Sequence, residues 1–531
     1  MSAKKEATVY PPIHIKDRQL VFHYILEDHA ARQPDKPFVV TRERMLTYAE
    51  TDALANRTAR GFAALGVRKG DRVLMMMPSG IDFLLIWLGL CKIGAMISPV
   101  NEAYMGRMLQ HQASDAAANL AVISHGYLDR FVEIADALPD LAQVVLYDDG
   151  GPAPDIPWTS LPYTDVLSDD PTPLPPVVSY RDPMAIFYTS GTTGPSKGVL
   201  YSYAQAHATA LQQAQLCDPD DIFYMCAPMF HCGLPHYAGI PLIAGATMAL
   251  RPRFSGSLFW DDVRHFGVTM TMLMSTMPAY LLAAPERADD ENNPLKKVIA
   301  ILVPKDLEGF KRRFGIEHVA TLFNMTEVST PICSDWNLHD TSTAGRARPG
   351  IIAQIVDVND EPVAVGEVGE LVLRTENPWE FSLGYWRNPA KTAEEWRNLW
   401  LHTGDLFSVD ADGNFYFRDR MKDAIRRRGE NISSFEIERE VDAHADVLES
   451  AAIAVPADLG EEEVKLVATR RPGADLTAQA LADYLDSVLP AYMRPRFIEV
   501  RDEELPKTPT GKVRKPELRE NAAGAVWDRE A

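Results

Sequence analysis

Along this chain, apolar runs of strand length alternate with stretches in which apolar residues recur every three to four positions. That alternation predicts an α/β fold of the doubly wound kind. Helical periodicity covers residues 51–66 and 82–94, and strand-like runs cover 72–77, 95–99 and 120–124. The longest apolar run, 83–100, is interrupted by Lys92 and punctuated by Gly89, Gly94 and Pro99. A membrane span needs about 20 consecutive apolar residues. The expectation is therefore a buried helix ending near Gly94 and then a core strand, with no stable membrane insertion. Two more strands, 184–188 and 199–201, flank a glycine-rich segment. Ser202 and Gln205 then have the spacing of a capping box that opens a helix over 203–216.

Further along, the pattern changes twice. Residues 150–176 are rich in Pro, Gly and Asp and read as an irregular connection. From 345 to 417, short apolar runs separated by turn signals at Asn359-Asp360 and Asp412-Gly413 predict a small β-rich subdomain. Beyond it, strands at 451–455, 464–470 and 497–500 and a helix at 478–489 predict a compact α+β unit.

Composition narrows the function classes. A chain of 531 residues divides into at least two domains. Acidic residues exceed basic ones by 21, which disfavours nucleic acid or an anionic membrane as partner. The five cysteines (91, 217, 226, 232, 333) include no C-x-x-C pair and no metal-like spacing, so free thiols in a reducing compartment are expected. The N-terminus lacks an apolar signal core, and the expected location is the cytoplasm.

The strongest chemical signal is YTSGTTGPSKG, residues 188–198. Glycine lets backbone approach an anion closely, hydroxyls donate hydrogen bonds and Lys197 supplies charge, a composition suited to wrapping a polyphosphate. The segment is not a P-loop. Ser196 precedes the lysine, Gly198 follows it, and a strand rather than a helix comes next. A flexible linker is the bland alternative, but linkers rarely join two apolar strands.

This loop resembles the phosphate loop of the adenylate-forming superfamily of acyl-CoA synthetases and adenylation domains. Four further segments are similar to that family's motifs and occur in its order: FNMTE at 323–327, LHTGD at 401–405, DRMKDAIRRRGENISSFEIE at 419–438 and PKTPTGKVRK at 506–515. The N-terminal segments TYAE (47–50), GVRKGDRV (66–73) and 93–99 look like the family as well, so the likeness covers nearly the whole chain. It implies a large N-terminal ATP- and acyl-binding domain, residues 1–418, of two doubly wound α/β subdomains plus the β-rich one. A small mobile α+β C-terminal domain, 419–531, follows.

The resemblance implies an ATP-dependent carboxylic acid–CoA ligase, with ATP, Mg²⁺ and coenzyme A and a small-molecule acid as substrate, and it leaves room for a homodimer. By that likeness Thr189, Ser190, Gly191, Thr192, Thr193, Gly194 and Lys197 wrap phosphates, and Phe323 and Asn324 border adenine. Asp405 accepts from ribose hydroxyls, and Arg420 lies near ribose or phosphate. Thr326, Glu327 and Lys512 are the catalytic candidates, with Glu327 on the metal. A lysine about 4 Å from converging anions offsets roughly 4 kcal/mol of repulsion at an effective dielectric near 20, and the resemblance assigns that role to Lys512. Lys422 is the implied hinge. The strand 426–432 would bring Gly429 and Arg427 to the CoA, and His231, Val303 and Asn324 would border the acyl pocket. Asn324 stands where the family usually has glycine, and ILVPK at 301–305 replaces a small-residue segment, as in the crotonobetaine/carnitine-CoA ligase branch. Two alternatives stay open: an adenylating enzyme with a carrier protein or another acceptor, and a catalytically silent nucleotide-binding regulator.

Overall fold

The computed structural model describes residues 15–530 except 148–154, 190–195, 275–276, 302, 305, 337, 339, 421–423, 428–429, 458–461, 507–512, 514 and 521–525. Two seven-stranded sheets carry the N-terminal part. The first runs, edge to edge, Thr159–Pro162, Gln143–Tyr147, Leu120–Ser124, Arg72–Met76, Met96–Pro99, Pro183–Thr189 and Lys197–Ser202, parallel except for the last pair. The second runs His318–Ala320, Lys297–Ile301, Met270–Met274, Ile222–Met225, Thr247–Leu250, Pro37–Val40 and Met45–Thr47, again parallel up to a closing antiparallel pair.

One large core unites the two sheets. It joins Val73, Ile97 and Phe187 of the first to Phe223, Met248 and Ile299 of the second through the helix residues Trp87, Tyr203 and Tyr237. Helix Ile81–Ile93 is buried on nearly every face, which is why its sequence is apolar all round, and it ends at Gly94 with φ 72°. Helix Tyr48–Ala64 starts three residues earlier than its periodicity predicts, because Thr47 and Glu50 form a reciprocal capping box. Lys92, the one charge inside the longest apolar run, is buried and meets Glu27 at 2.7 Å and Asp52 at 2.8 Å. It thus ties helices Phe22–Arg32, Tyr48–Ala64 and Ile81–Ile93 together. Among the described residues no helix is long and apolar enough to cross a membrane.

A four-stranded antiparallel sheet, Ile351–Val356, Gly369–Thr375, Leu401–Val409 and Phe415–Arg420, forms the β-rich subdomain, so its last strand reaches Arg420. The chain then builds an α+β unit around the sheet Val447–Pro456, Glu462–Arg470, Phe497–Arg501 and Trp527–Asp528, with helices Ser434–Asp442 and Ala478–Val488. The segment expected as one strand over 426–432 is instead a hairpin of Ala424–Arg427 and Glu430–Ser433. This unit sits on residues 101–108 of the N-terminal part: Met108 packs into its core, and Asn101 Nδ2 donates to Tyr492 Oη at 3.4 Å.

Candidate functional site

The site is built outward from the hairpin of Pro183–Thr189 and Lys197–Ser202, where Thr189 stands opposite Lys197. Of the residues assigned to the phosphate loop, Ser190, Gly191, Thr192, Thr193 and Gly194 lie outside the described residues, as do Lys422, Gly429 and Lys512. Both roots of the loop are held. Thr189 Oγ1 is 3.5 Å from Lys197 O, His111 Nε2 is 2.8 Å from Ser196 O, and Tyr188 Oη donates to Asp115 at 2.8 Å.

A third segment lies along the return strand. Leu383 N–H donates to Leu200 O at 2.9 Å, Leu200 N–H to Gly384 O at 2.9 Å and Trp386 N–H to Gly198 O at 2.7 Å. This lays Tyr385 beside the loop root: Lys197 Nζ stands over its ring, 4.8 Å from the centroid, and its hydroxyl donates to Glu327 Oε1 at 2.8 Å. Glu327 is half-buried, and burial pushes its carboxyl above the usual range against the opposing Tyr385 hydrogen bond. A carboxylate so desolvated gains from an added cation, and its hard oxygens suit Mg²⁺.

The neighbours of Glu327 are braced from behind. Ser202 caps helix Tyr203–Ala214 by accepting from Gln205 N–H, but the Gln205 side chain does not return to complete the expected box. It donates instead to Thr326 O at 2.9 Å and Val328 O at 3.3 Å. Thr326 Oγ1 is 3.2 Å from Cys232 Sγ, a thiol that burial pushes up to about 11. Asn324 Oδ1 accepts from Thr330 N–H at 2.9 Å, where Thr330 has φ 41°. Its side chain thus closes the turn that carries Thr326 and Glu327.

Phe323 is half-buried and packs edge-on against Phe407, 5.0 Å between centroids, at the boundary with the β-rich subdomain. Asp405 is buried, and its N–H donates to Thr403 Oγ1 at 3.1 Å. It pairs across the sheet with Arg420. Between Thr403 and Asp405, Gly404 takes φ 69° and its N–H donates to Glu370 Oε1 at 2.9 Å, which fixes the bend before the aspartate.

One residue of the acyl expectation, His231, meets the segment expected near CoA, at a residue not itself singled out for it. His231 Nε2 lies 3.5 Å from Glu430 Oε2, on the second strand of the C-terminal hairpin. That hairpin therefore faces the site. Val303 is half-buried and packs against the core of the second sheet. Arg427 is placed differently from its expected CoA contact. Its guanidinium is buried, pairs with Glu463 at 2.7 Å and donates to Tyr492 O at 3.2 Å and Arg494 O at 2.7 Å. It braces the C-terminal unit from inside.

The model for the AMP-binding enzyme family matches residues 26–386, and that for the AMP-binding enzyme C-terminal domain matches 436–512. The chain belongs to the AMP-binding enzyme family. This AMP-binding enzyme is 30% identical over 488 residues to the crotonobetaine/carnitine–CoA ligase of Salmonella agona (strain SL483), covering 90% of this chain and 93% of that protein. Among solved structures it is similar to the anthranilate CoA ligase AuaEII in complex with anthranoyl-AMP, with a TM-score of 0.71, 26% identity and coverage of 94% and 97%. It is also similar to ATP-bound MatB from Rhodopseudomonas palustris, with a TM-score of 0.65, 26% identity and coverage of 94% and 99%.

Proposed function

We propose that this AMP-binding enzyme joins a carboxylic acid to coenzyme A using ATP. It is an acid–thiol ligase with two half-reactions at one site. In the first, a carboxylate oxygen attacks the α-phosphorus of ATP, the bond to the α,β-bridging oxygen breaks, and pyrophosphate leaves with that oxygen. In the second, the CoA sulfur attacks the carbonyl carbon of the acyl-adenylate, AMP leaves, and the thiol proton passes to solvent.

The observation that carries this reading is the meeting of Lys197 and Glu327 on Tyr385 at the root of the hydroxyl-rich loop. A cation and a desolvated carboxylate at the mouth of such a loop suit a polyphosphate and its metal. Glu327 would hold Mg²⁺ against the phosphates, and Thr326 would donate to a phosphate oxygen. When bound, the ion neutralises phosphate charge. Asp405 would take the ribose hydroxyls and Phe323 the adenine face. Lys512 would offset repulsion between the two reacting anions, roughly a thousandfold in rate for about 4 kcal/mol. Rotation about Lys422 would then exchange Lys512 for the hairpin, and the approach of Glu430 to His231 supports an arrangement suited to thiol attack. The free thiols support a cytoplasmic setting.

The names of the relatives support starting with betaine-type and aromatic acids. Pyrophosphate release is measured with Mg·ATP across betaine-type, aromatic, steroid-like and fatty acids, each with and without CoA, and the thioester is followed by mass. A CoA-dependent thioester from one class is the expected result. Pyrophosphate release with every acid but never a thioester would overturn the assignment of CoA as acceptor.

A further inference from the structure

Tyr385 touches two groups assigned to ATP and belongs to none of the motifs that suggested them. It is buried at 8% exposure, with Lys197 over its ring and Glu327 on its hydroxyl. Its position is set from several sides. It bridges antiparallel to Val199, and its N–H donates to Thr392 Oγ1 at 2.9 Å. Gly384 before it takes φ 102°, and a Cβ there would come within 2.7 Å of Thr392 Cγ2, so the close turn requires glycine. Ser382 N–H donates to Glu327 O at 3.0 Å, which ties the same short segment to the backbone of the acidic residue. The phenol is thus fixed relative to both partners.

The chemistry follows from what each partner meets. An ammonium over an aromatic face is attracted by the ring quadrupole, and a charge-assisted bond to phosphate is stronger, so the ring orients the lysine and still lets it reach a phosphate. A lysine and a carboxylate at the same loop root would otherwise attract each other directly and close the space that phosphate and metal need. The phenol hydroxyl donates to Glu327 and orients that carboxylate.

We propose that Tyr385 is the positioning residue of the ATP site: its ring aims Lys197 at the phosphates, and its hydroxyl orients Glu327 for the metal. The inference rests on the assignment of Glu327 and Lys197 to Mg·ATP made above. It is tested by equilibrium binding, which needs no acid substrate. ATP and a non-hydrolysable ATP analogue are titrated by calorimetry into wild type, Tyr385→Phe and Tyr385→Leu, with Mg²⁺ and in excess chelator, and each apo protein is melted as a control.

Tyr385→Phe keeps the ring and loses the hydroxyl. It should bind metal-free nucleotide like wild type and lose about tenfold of the Mg²⁺-dependent gain, the scale of one hydrogen bond to a charged group. Tyr385→Leu should weaken metal-free binding as well. Wild-type behaviour of Tyr385→Phe with and without Mg²⁺ would overturn the proposal. So would equal weakening of both titrations together with a lowered melting temperature, since that is the mark of a merely structural role. Absence of nucleotide binding by wild type would instead refute the underlying reading of the site.

Discussion

Replacing Arg427 by alanine separates two roles for its guanidinium, and the structure predicts which is lost. The side chain is 6% exposed, faces Glu463 at 7% exposure across 2.7 Å, and donates to two carbonyls on 492–494. Breaking a buried pair leaves an uncompensated charge and costs about 3–5 kcal/mol. The two carbonyls lose a charged donor as well, so about 4 kcal/mol is expected, more than 10 °C of melting temperature for a unit this small. Tyr492, whose carbonyl is one acceptor, also receives the Asn101 bond at the domain boundary, so the loss should loosen docking too. The assay is thermal unfolding of Arg427→Ala, Glu463→Gln and the double variant, alongside the CoA dependence of thioester formation from preformed acyl-adenylate. A non-additive cycle is expected, with coupling of about 1–3 kcal/mol, and the KM for CoA should move less than about threefold at a temperature where the variant is folded. Unchanged melting with a tenfold higher KM for CoA would refute the bracing role and return Arg427 to the CoA contact.

Two further predictions concern chemistry and pH. Lys512→Ala should suppress adenylation by roughly two to four orders of magnitude while sparing thioester formation from preformed acyl-adenylate, and equal loss in both steps would refute its assignment. Burial lowers His207 to about 4 and His236 to about 3, from an ordinary value of 6.5. Because the unfolded chain takes up these protons first, the stability they contribute is complete above about pH 6.5 and is lost as pH falls through the folded values. Between pH 7.5 and pH 5 each should remove about 2 kcal/mol. Urea unfolding at the two pH values should show a loss about 2 kcal/mol smaller in His236→Gln than in wild type, the new side chain still reaching Gln213 Oε1, the partner of His236 at 3.1 Å. An undiminished loss in the variant would refute the assignment.

What was legible in the chain was what local spacing encodes. The strand over 120–124 is observed at those bounds, and Gly94 ends its helix in the left-handed conformation that favours glycine. Lys92 ruled out a membrane span by its charge, and the fold answers with two carboxylates from other helices. Arg427 could have been read more closely. In a strand, residues two apart share a face, and Ile425, apolar and fully buried, predicts that Arg427 points inward. Arg426 points the other way and lies over the Phe417 ring at 5.4 Å. The expectation that 426–432 brings Arg427 to the CoA does not take that alternation into account. Gln205 and Tyr385 are a different case. Gln205 has the spacing of a cap partner, but the nearest acceptors for its amide are carbonyls at 326 and 328. Tyr385 gains its role from pairing with Val199, a bridge between segments far apart in the chain. Periodicity reports which face of an element is buried, whereas such pairings depend on how sheets and loops meet in space. A phosphate-loop candidate and its lysine could therefore be proposed from composition, while the phenol proposed to aim that lysine required the fold.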